Sequence, residues 1–220
     1  SSFVVLAFIF SIIDSFHVFA AGPVHATSRI EGVLVVDVSK SMLTSDPFKI
    51  SNEAMKMFVD MSSLKGDKIG VIAYANDVVS KKPLVKIQSE QDKIAIKDFI
   101  DLQDKHPNTD ISVGVTEAIK SLDNSHETDY FPLIVLLADG NNELDKTKSK
   151  TNKQADDELA QGMADAKTKG YPIYVIGLNA DGKLNKTILE TIATSTAGKY
   201  FETSTANDLP GILSEIFAAH

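Results

Sequence analysis

The sequence predicts an α/β fold: a doubly wound, mostly parallel central sheet with helices on both faces and one antiparallel edge strand. Three observations predict it. Glu31 to Asp37 (EGVLVVD), Lys68 to Ala75 (KIGVIAYA), Phe131 to Ala138 (FPLIVLLA) and Pro172 to Leu178 (PIYVIGL) are nearly continuous apolar runs rich in β-branched residues. Strands covered on both faces read this way. Between the runs apolar residues recur at helical spacing, and strands alternating with helices build parallel sheets. Finally, Pro83 interrupts an extended stretch behind the Asn76-Asp77 turn, which confines that stretch to a sheet edge.

The elements follow in order. After the strand ending at Asp37, Thr44-Ser45-Asp46-Pro47 offers an N-cap and a first-turn proline. Ile50, Ala54, Met57, Phe58 and Met61 then follow at helical spacing as a core face. Lys65-Gly66-Asp67 turns the chain into the second strand. Val78, Val79 and then Leu84 to Ile87 are extended. Ser89 caps a helix carrying Ile94, Ile96, Phe99, Ile100 and Leu102, and Asp110 to Leu122 forms the next, with Val113, Ala118, Ile119 and Leu122 apolar. Phe131 to Ala138 is the most hydrophobic strand. A polar loop, Gly140 to Asn152, leads to a helix with Leu159, Met163 and Ala166 that stops at Gly170. Beyond the Pro172 strand, Leu184 to Ala193 is helical, Tyr200 to Glu202 a short strand, and Asn207 to Ala218 a closing helix. Right-handed crossovers put the C-terminal ends of the parallel strands on one edge, where such sheets bind ligands. That edge receives the loops after Val36, Leu137 and Gly177.

Composition narrows the function. At 220 residues and 43% hydrophobic the chain can bury one full core as a single domain. It has no Cys, which excludes a disulfide scaffold and Cys-based zinc sites. A formal net charge of −8 repels phosphate backbones, so nucleic acid is not an expected partner. Cations and proteins with basic patches suit it better.

Residues 1–26 read as targeting and 27–220 as the domain. Phe3 to Ala21 is an apolar run broken only by Asp14 and His17, followed by small residues at Ala20-Ala21-Gly22 and Val24-His25-Ala26 that suit a signal peptidase. The run reads as a signal peptide or an N-terminal membrane anchor. Asp14 near its middle would be costly in a bilayer and favours the cleaved leader. Either reading makes the domain secreted or cell-surface, and a membrane partner is expected only through this segment if it is retained.

Chemistry gathers where apolar runs stop. Asp37-Val38-Ser39-Lys40-Ser41 ends the first strand, Asp139-Gly140 ends the most buried one, and Asn108-Thr109-Asp110-Ile111-Ser112 opens a helix between them. The donors are carboxylates and hydroxyls without His or Cys. Such hard oxygens select a small hard cation such as Mg²⁺ or Mn²⁺.

Asp37, Ser39 and Ser41 as D-x-S-x-S, then Thr109, then Asp139, resemble the metal-ion-dependent adhesion site of von Willebrand factor type A domains. The flanks VLVVDVSKSM, NTDISVGV, LIVLLADG and YPIYVIGL agree, and the resemblance spans roughly Arg29 to Phe217. It implies that Ser39, Ser41 and Thr109 ligate Mg²⁺ (or Mn²⁺ or Ca²⁺) through hydroxyls, while Asp37 and Asp139 act through water or directly. It further implies a non-enzymatic module whose protein partner supplies a carboxylate to the metal. Lys40 departs from the Gly often found there, and Ala138 from Thr or Ser; neither removes a ligand.

Blander readings stand beside this one. Asp37 and Ser39 could merely cap a helix and end a strand. Lys146 to Lys153 reads as a solvated loop, with a partner-binding rim as the alternative. Gly177 to Leu184 (GLNADGKL) nearly matches a phosphate loop, but Leu184 stands where the metal-holding hydroxyl belongs and Asp181 repels phosphate. His106, His126 and His220 are scattered and no G-x-S-x-G occurs. Metal binding would lower the Asp37 and Asp139 pKa values, which disfavours proton shuttling. Two rivals complete the set: a metal-dependent hydrolase or phosphotransfer enzyme in the same pocket, and a structural assembly module with a merely stabilising metal.

Overall fold

The computed structural model describes residues 29–220. The signal peptide or anchor read in residues 1–26, and the domain start at residue 27, lie outside the described residues. Among the described residues, no helix is long and apolar enough to cross a membrane.

Six strands form one sheet in the order β3-β2-β1-β4-β5-β6. They are β1 (Arg29–Asp37), β2 (Lys68–Tyr74), β3 (Val78–Lys86), β4 (Tyr130–Ala138), β5 (Ile173–Leu178) and β6 (Tyr200–Thr203). All neighbours are parallel except β2 and β3. The edge position that Pro83 requires is therefore that of β3, where its missing N–H faces no further strand. The strand runs unbroken through Pro83, with register shifts against β2 between Ile69/Val71 and Ala73/Tyr74.

The helices are α1 (Met42–Ser45), α2 (Ile50–Met61), α3 (Glu90–Asp101), α4 (Ile111–Asp123), α5 (Asn152–Lys169), α6 (Lys186–Ser195) and α7 (Leu209–Ala218). Alternate residues of each central strand feed opposite cores. Leu34, Val36, Val135 and Leu137 pack with α2, α3 and α7 on one face. Val33, Val35, Ile134 and Leu136 pack with α4, α5 and α6 on the other. This double burial is why the strands read as unbroken apolar runs.

Three local expectations shift. The Thr44–Pro47 stretch does not start α2: residues 42–45 coil into α1 instead, and α2 begins only after Lys49 adopts a left-handed backbone at φ 52°. The Asp46 carboxylate bridges the gap, accepting from the amides of Ile50 (2.6 Å) and Ser51 (3.0 Å). The buried face of α2 is Ile50, Ala54, Met55, Phe58 and Val59, while Met61 at its last turn is exposed. Leu102, just past α3, is exposed as well.

Close backbone approach seats α4 against β2 beside the site edge. A Cβ built on Gly114 would lie 2.6 Å from the ring of Tyr74, which is fully buried. Gly114→Ala therefore overpacks this contact and is expected to cost about 1–3 kcal/mol, as other insertions into filled cores do. Urea unfolding of the two proteins measures it.

Candidate metal site

Strand order reverses between β1 and β4, because β2 and β3 extend to one side and β5 and β6 to the other. Such a switch point leaves a crevice beyond the carboxyl ends of the two strands. Asp37 is the last residue of β1 and Asp139 directly follows β4. Both carboxylates are completely buried, and Ser39 and Thr109 nearly so.

The loop after β1 is ordered by its own polar side chains. Asp37 Oδ1 accepts from the Ser39 amide at 2.7 Å, and the Ser39 and Ser41 hydroxyls lie 2.9 Å apart. Neither Asp37 nor Ser39 caps α1, whose N-cap Ser41 makes no side-chain capping bond. The capping half of the blander reading therefore fails, while Asp37 does end β1. On the β4 side, Asp139 Oδ1 accepts from the Asn141 amide at 2.9 Å, and Oδ2 accepts from the Ser45 hydroxyl at 2.9 Å. The single Ser45 proton is shared with the Ser41 carbonyl at 3.1 Å, so this hydroxyl lies between the two strand-end loops.

The threonine loop is sewn between them by main-chain bonds. Ser39 pairs with His106 as an isolated parallel bridge, and Thr109 with Glu143 as an antiparallel one. Asn108 precedes Thr109 with φ 62°, a conformation Asn tolerates better than most residues. Asp110 caps α4 by accepting from the Ser112 amide and meets Lys150 at 2.6 Å. Lys150 also pairs with Glu158 on α5, and Lys148 with Asp77. The basic loop after β4 is therefore pinned at two points rather than wholly solvated.

Two buried carboxylates share the crevice with one cation within electrostatic reach, half-buried Lys105. Burial pushes the Asp37 carboxyl up to about 7, opposed by its bond with Ser39 and reinforced by the Asp139 charge. Asp37 Oδ2 and the Tyr74 hydroxyl are both buried without a well-formed hydrogen bond, although the two side chains stand within hydrogen-bonding reach of each other. Burial raises the Tyr74 hydroxyl well above its ordinary range, and the carboxylates of Asp37, Asp139 and Asp110 raise it further. An orphaned buried carboxylate oxygen is costly unless a proton or cation reaches it. The donors at hand are all oxygens, and no three His, Cys, Asp or Glu side chains among the described residues gather into a metal-holding group. An ion placed here would meet hydroxyls as well as carboxylates, a donor set that fits a hard divalent cation.

Two participants carry no recognisable sequence signal. Ser45 looks like a cap residue locally, yet its hydroxyl orients a carboxylate 94 residues away. Lys105 precedes the threonine loop and lies close enough to Asp37, Asp46 and Asp139 for their charges to raise its pKa, against a larger lowering by burial.

Known proteins share this architecture. Residues 33–215 match the family model of the von Willebrand factor type A domain. No curated protein sequence matches the chain. Among solved structures, an aerotolerance-related membrane protein from Bacteroides fragilis superimposes with a TM-score of 0.68 at 18% identity, over 87% of this chain and 100% of that one. Proximal thread matrix protein 1 from the mussel byssus gives 0.66 at 22% identity, over 88% of this chain and 46% of that one. The pilus adhesin SpaC from Lactobacillus rhamnosus GG gives 0.63 at 16% identity, over 88% and 30%. At these identities the likeness establishes the fold. Since the family match runs through every strand from β1 to β6, the chain belongs to the von Willebrand factor type A domain family.

Proposed function

We infer that this chain is an exported, non-enzymatic protein-binding domain that grips an acidic side chain of a partner through a divalent cation at the β1–β4 crevice. The observation that carries the reading is the buried Asp37 carboxylate, whose Oδ2 has no well-formed bond and only the Tyr74 hydroxyl at hand, beside a hydroxyl-rich loop. Ser39, Ser41 and Thr109 would hold the ion through hydroxyls, with Asp37 and Asp139 balancing its charge. Mg²⁺ suits this set best, and Mn²⁺ or Ca²⁺ would serve as substitutes. A divalent cation held largely by neutral groups keeps positive charge for an incoming carboxylate.

The chain's own residues prepare that event. The Asn141 amide and Ser45 hydroxyl fix both oxygens of Asp139. The Ser39 amide fixes one oxygen of Asp37 and leaves the other available. The main-chain bridges on both sides of the threonine loop set Thr109 without using its hydroxyl. Neighbours described as a membrane protein, a pilus adhesin and a byssus matrix protein support an extracytoplasmic protein-interaction role.

Thr109→Ala tests this directly. It removes a hydroxyl while keeping the backbone pairing with Glu143, so the melting temperature in EDTA should move little. Mn²⁺ affinity should fall by about 10-fold to 100-fold, the loss expected even for groups that merely support a ligand. Calorimetric titration with MnCl₂ reads the affinity. A pull-down from the exporting cell's surface, with and without chelator, reads the binding. Retention of partners in EDTA equal to that in Mg²⁺ would refute the metal-dependent grip.

A further inference from the structure

Lys105 is a cation that the metal reading leaves without a role. Its backbone lies beside the Asp37–Ser41 loop, because the next residue, His106, donates its amide to the Val38 carbonyl at 2.8 Å and accepts from the Lys40 amide at 2.8 Å. The Lys105 side chain is half-buried and, among the described residues, makes neither an ion pair nor a hydrogen bond. Asp104, which precedes it, is exposed and does not pair with it.

Two of the carboxylates around Lys105 are already engaged. The Asp46 oxygens accept from the start of α2, at 2.6 Å from the Ile50 amide and 3.0 Å from that of Ser51. Both Asp139 oxygens accept as well, from the Asn141 amide and the Ser45 hydroxyl. Lys105 therefore acts on Asp37, Asp46 and Asp139 through space. At Asp37 its charge partly offsets that of Asp139. Such forces are less screened in a partly buried setting than on the open surface.

Stability does not explain this lysine. Burial, with the charge of Lys49, lowers its pKa more than the three aspartates raise it, so its charge costs the fold more than those neighbours return. Paired Lys56, Lys68 and Lys150 are shifted the opposite way. A divalent ion in the crevice would feel the same ammonium as a repulsion.

We propose that Lys105 is a resident competitor of the divalent cation: its ammonium partly neutralises Asp37 and Asp139 in the metal-free protein, repels the ion that takes over this role, and so holds metal affinity down. The proposal rests on the metal reading of the crevice. It makes occupancy, and with it the grip on a partner's carboxylate, follow the surrounding ion concentration instead of saturating on traces. A unit charge opposing a divalent ion through partly buried protein is worth about 10-fold in affinity.

The test uses the full chain with three substitutions. Lys105→Met keeps the length and removes the charge, Lys105→Arg keeps the charge, and Lys40→Met controls for an exposed lysine beside two ligands. Calorimetric titration at pH 7.5 and low salt with MnCl₂ and TbCl₃ reads the affinities. Lys105→Met is expected to bind Mn²⁺ about 10-fold tighter than wild type and Tb³⁺ about 30-fold tighter, since the repulsion grows with the charge of the ion. Lys105→Arg and Lys40→Met should stay within about 3-fold of wild type for both ions, the exposed lysine being screened by solvent. In EDTA, Lys105→Met should melt no lower than wild type. An unchanged or weaker Mn²⁺ affinity in Lys105→Met overturns the proposal, as does an equal gain in Lys105→Arg or Lys40→Met. A gain no larger for Tb³⁺ than for Mn²⁺, or a lower melting temperature in EDTA, assigns Lys105 a structural role and overturns it too. Mn²⁺ binding that Thr109→Ala weakens and Lys105→Met leaves alone refutes the competitor and spares the metal reading. No Mn²⁺ binding by wild type and Lys105→Met alike refutes both.

Discussion

In EDTA at pH 8, Asp37→Asn is expected to unfold at a higher temperature than the wild-type chain and to lose all response to Mg²⁺. The carboxylate is fully buried, and burial and the Asp139 charge lift it from 3.8 to about 7 against the opposing Ser39 bond. A folded-state pKa above the unfolded value means that the native state binds the extra proton between about pH 4 and pH 7. Stability from this group is therefore present at low pH and lost as pH rises through about 7. At 1.36 kcal/mol per unit the loss has a ceiling of roughly 4 kcal/mol. The Asn side chain keeps the oxygen that accepts from the Ser39 amide and removes the buried charge.

The same substitution should make little difference at pH 4, where the wild-type carboxyl is protonated. His220 titrates in the opposite sense: burial lowers it to about 4, so its contribution is lost as pH falls below about 6.5. It is common to both proteins and cancels in the comparison. Paired melts of wild type and Asp37→Asn from pH 4 to pH 8 in EDTA isolate Asp37. A wild-type protein as stable as the variant at pH 8 would show that the crevice solvates this charge by itself.

At the opposite end of β1, Glu31→Ala should destabilise the domain by about 3 kcal/mol, the low end for breaking a buried ion pair by removing one member. For a domain of this size that corresponds to roughly 6–12 °C. Glu31 is wholly buried and binds Lys68 at 3.1 Å and His126 Nδ1 at 2.9 Å. Lys68 is itself nearly buried, and its other carboxylate partner, Glu127, is mostly exposed. Removing Glu31 leaves the ammonium with a solvent-screened partner, and adding Lys68→Met should restore part of the loss. Because this network lies at the N-terminal end of the strands, metal affinity measured below the melting transition should not change. A metal-affinity loss comparable to that of Thr109→Ala would show that the two ends of the sheet are coupled.

These effects separate what local sequence encodes from what it does not. The apolar runs of β1, β2, β4 and β5 announce their double burial, and Pro83 announces the edge. The Asp37–Ser41 cluster and Asp139 were visible because each begins where an apolar run stops. The Asn108–Ser112 cluster is legible as a polar loop opening a helix, but only the family pattern picks Thr109 out of it, since an Asn-Thr-Asp triplet there is ordinary capping chemistry. The α2 start is not legible locally because Asp46 caps from four residues upstream, across a left-handed Lys49. Met61 fits the helical period as well as Met55 does, but the final turn of α2 leaves it exposed.

The sequence by itself determined the alternation of strand and helix, the double-sided sheet and the oxygen-only chemistry of its C-terminal edge. Each of these is written in residue type and short-range period. Only the tertiary structure decided that Ser45 meets Asp139, that Asp37 Oδ2 is buried with only the Tyr74 hydroxyl at hand, and that Lys105 comes within electrostatic reach of both carboxylates. Those facts depend on contacts between segments tens of residues apart. Such contacts are set by how the sheet and helices pack around two cores, and no local pattern carries that information.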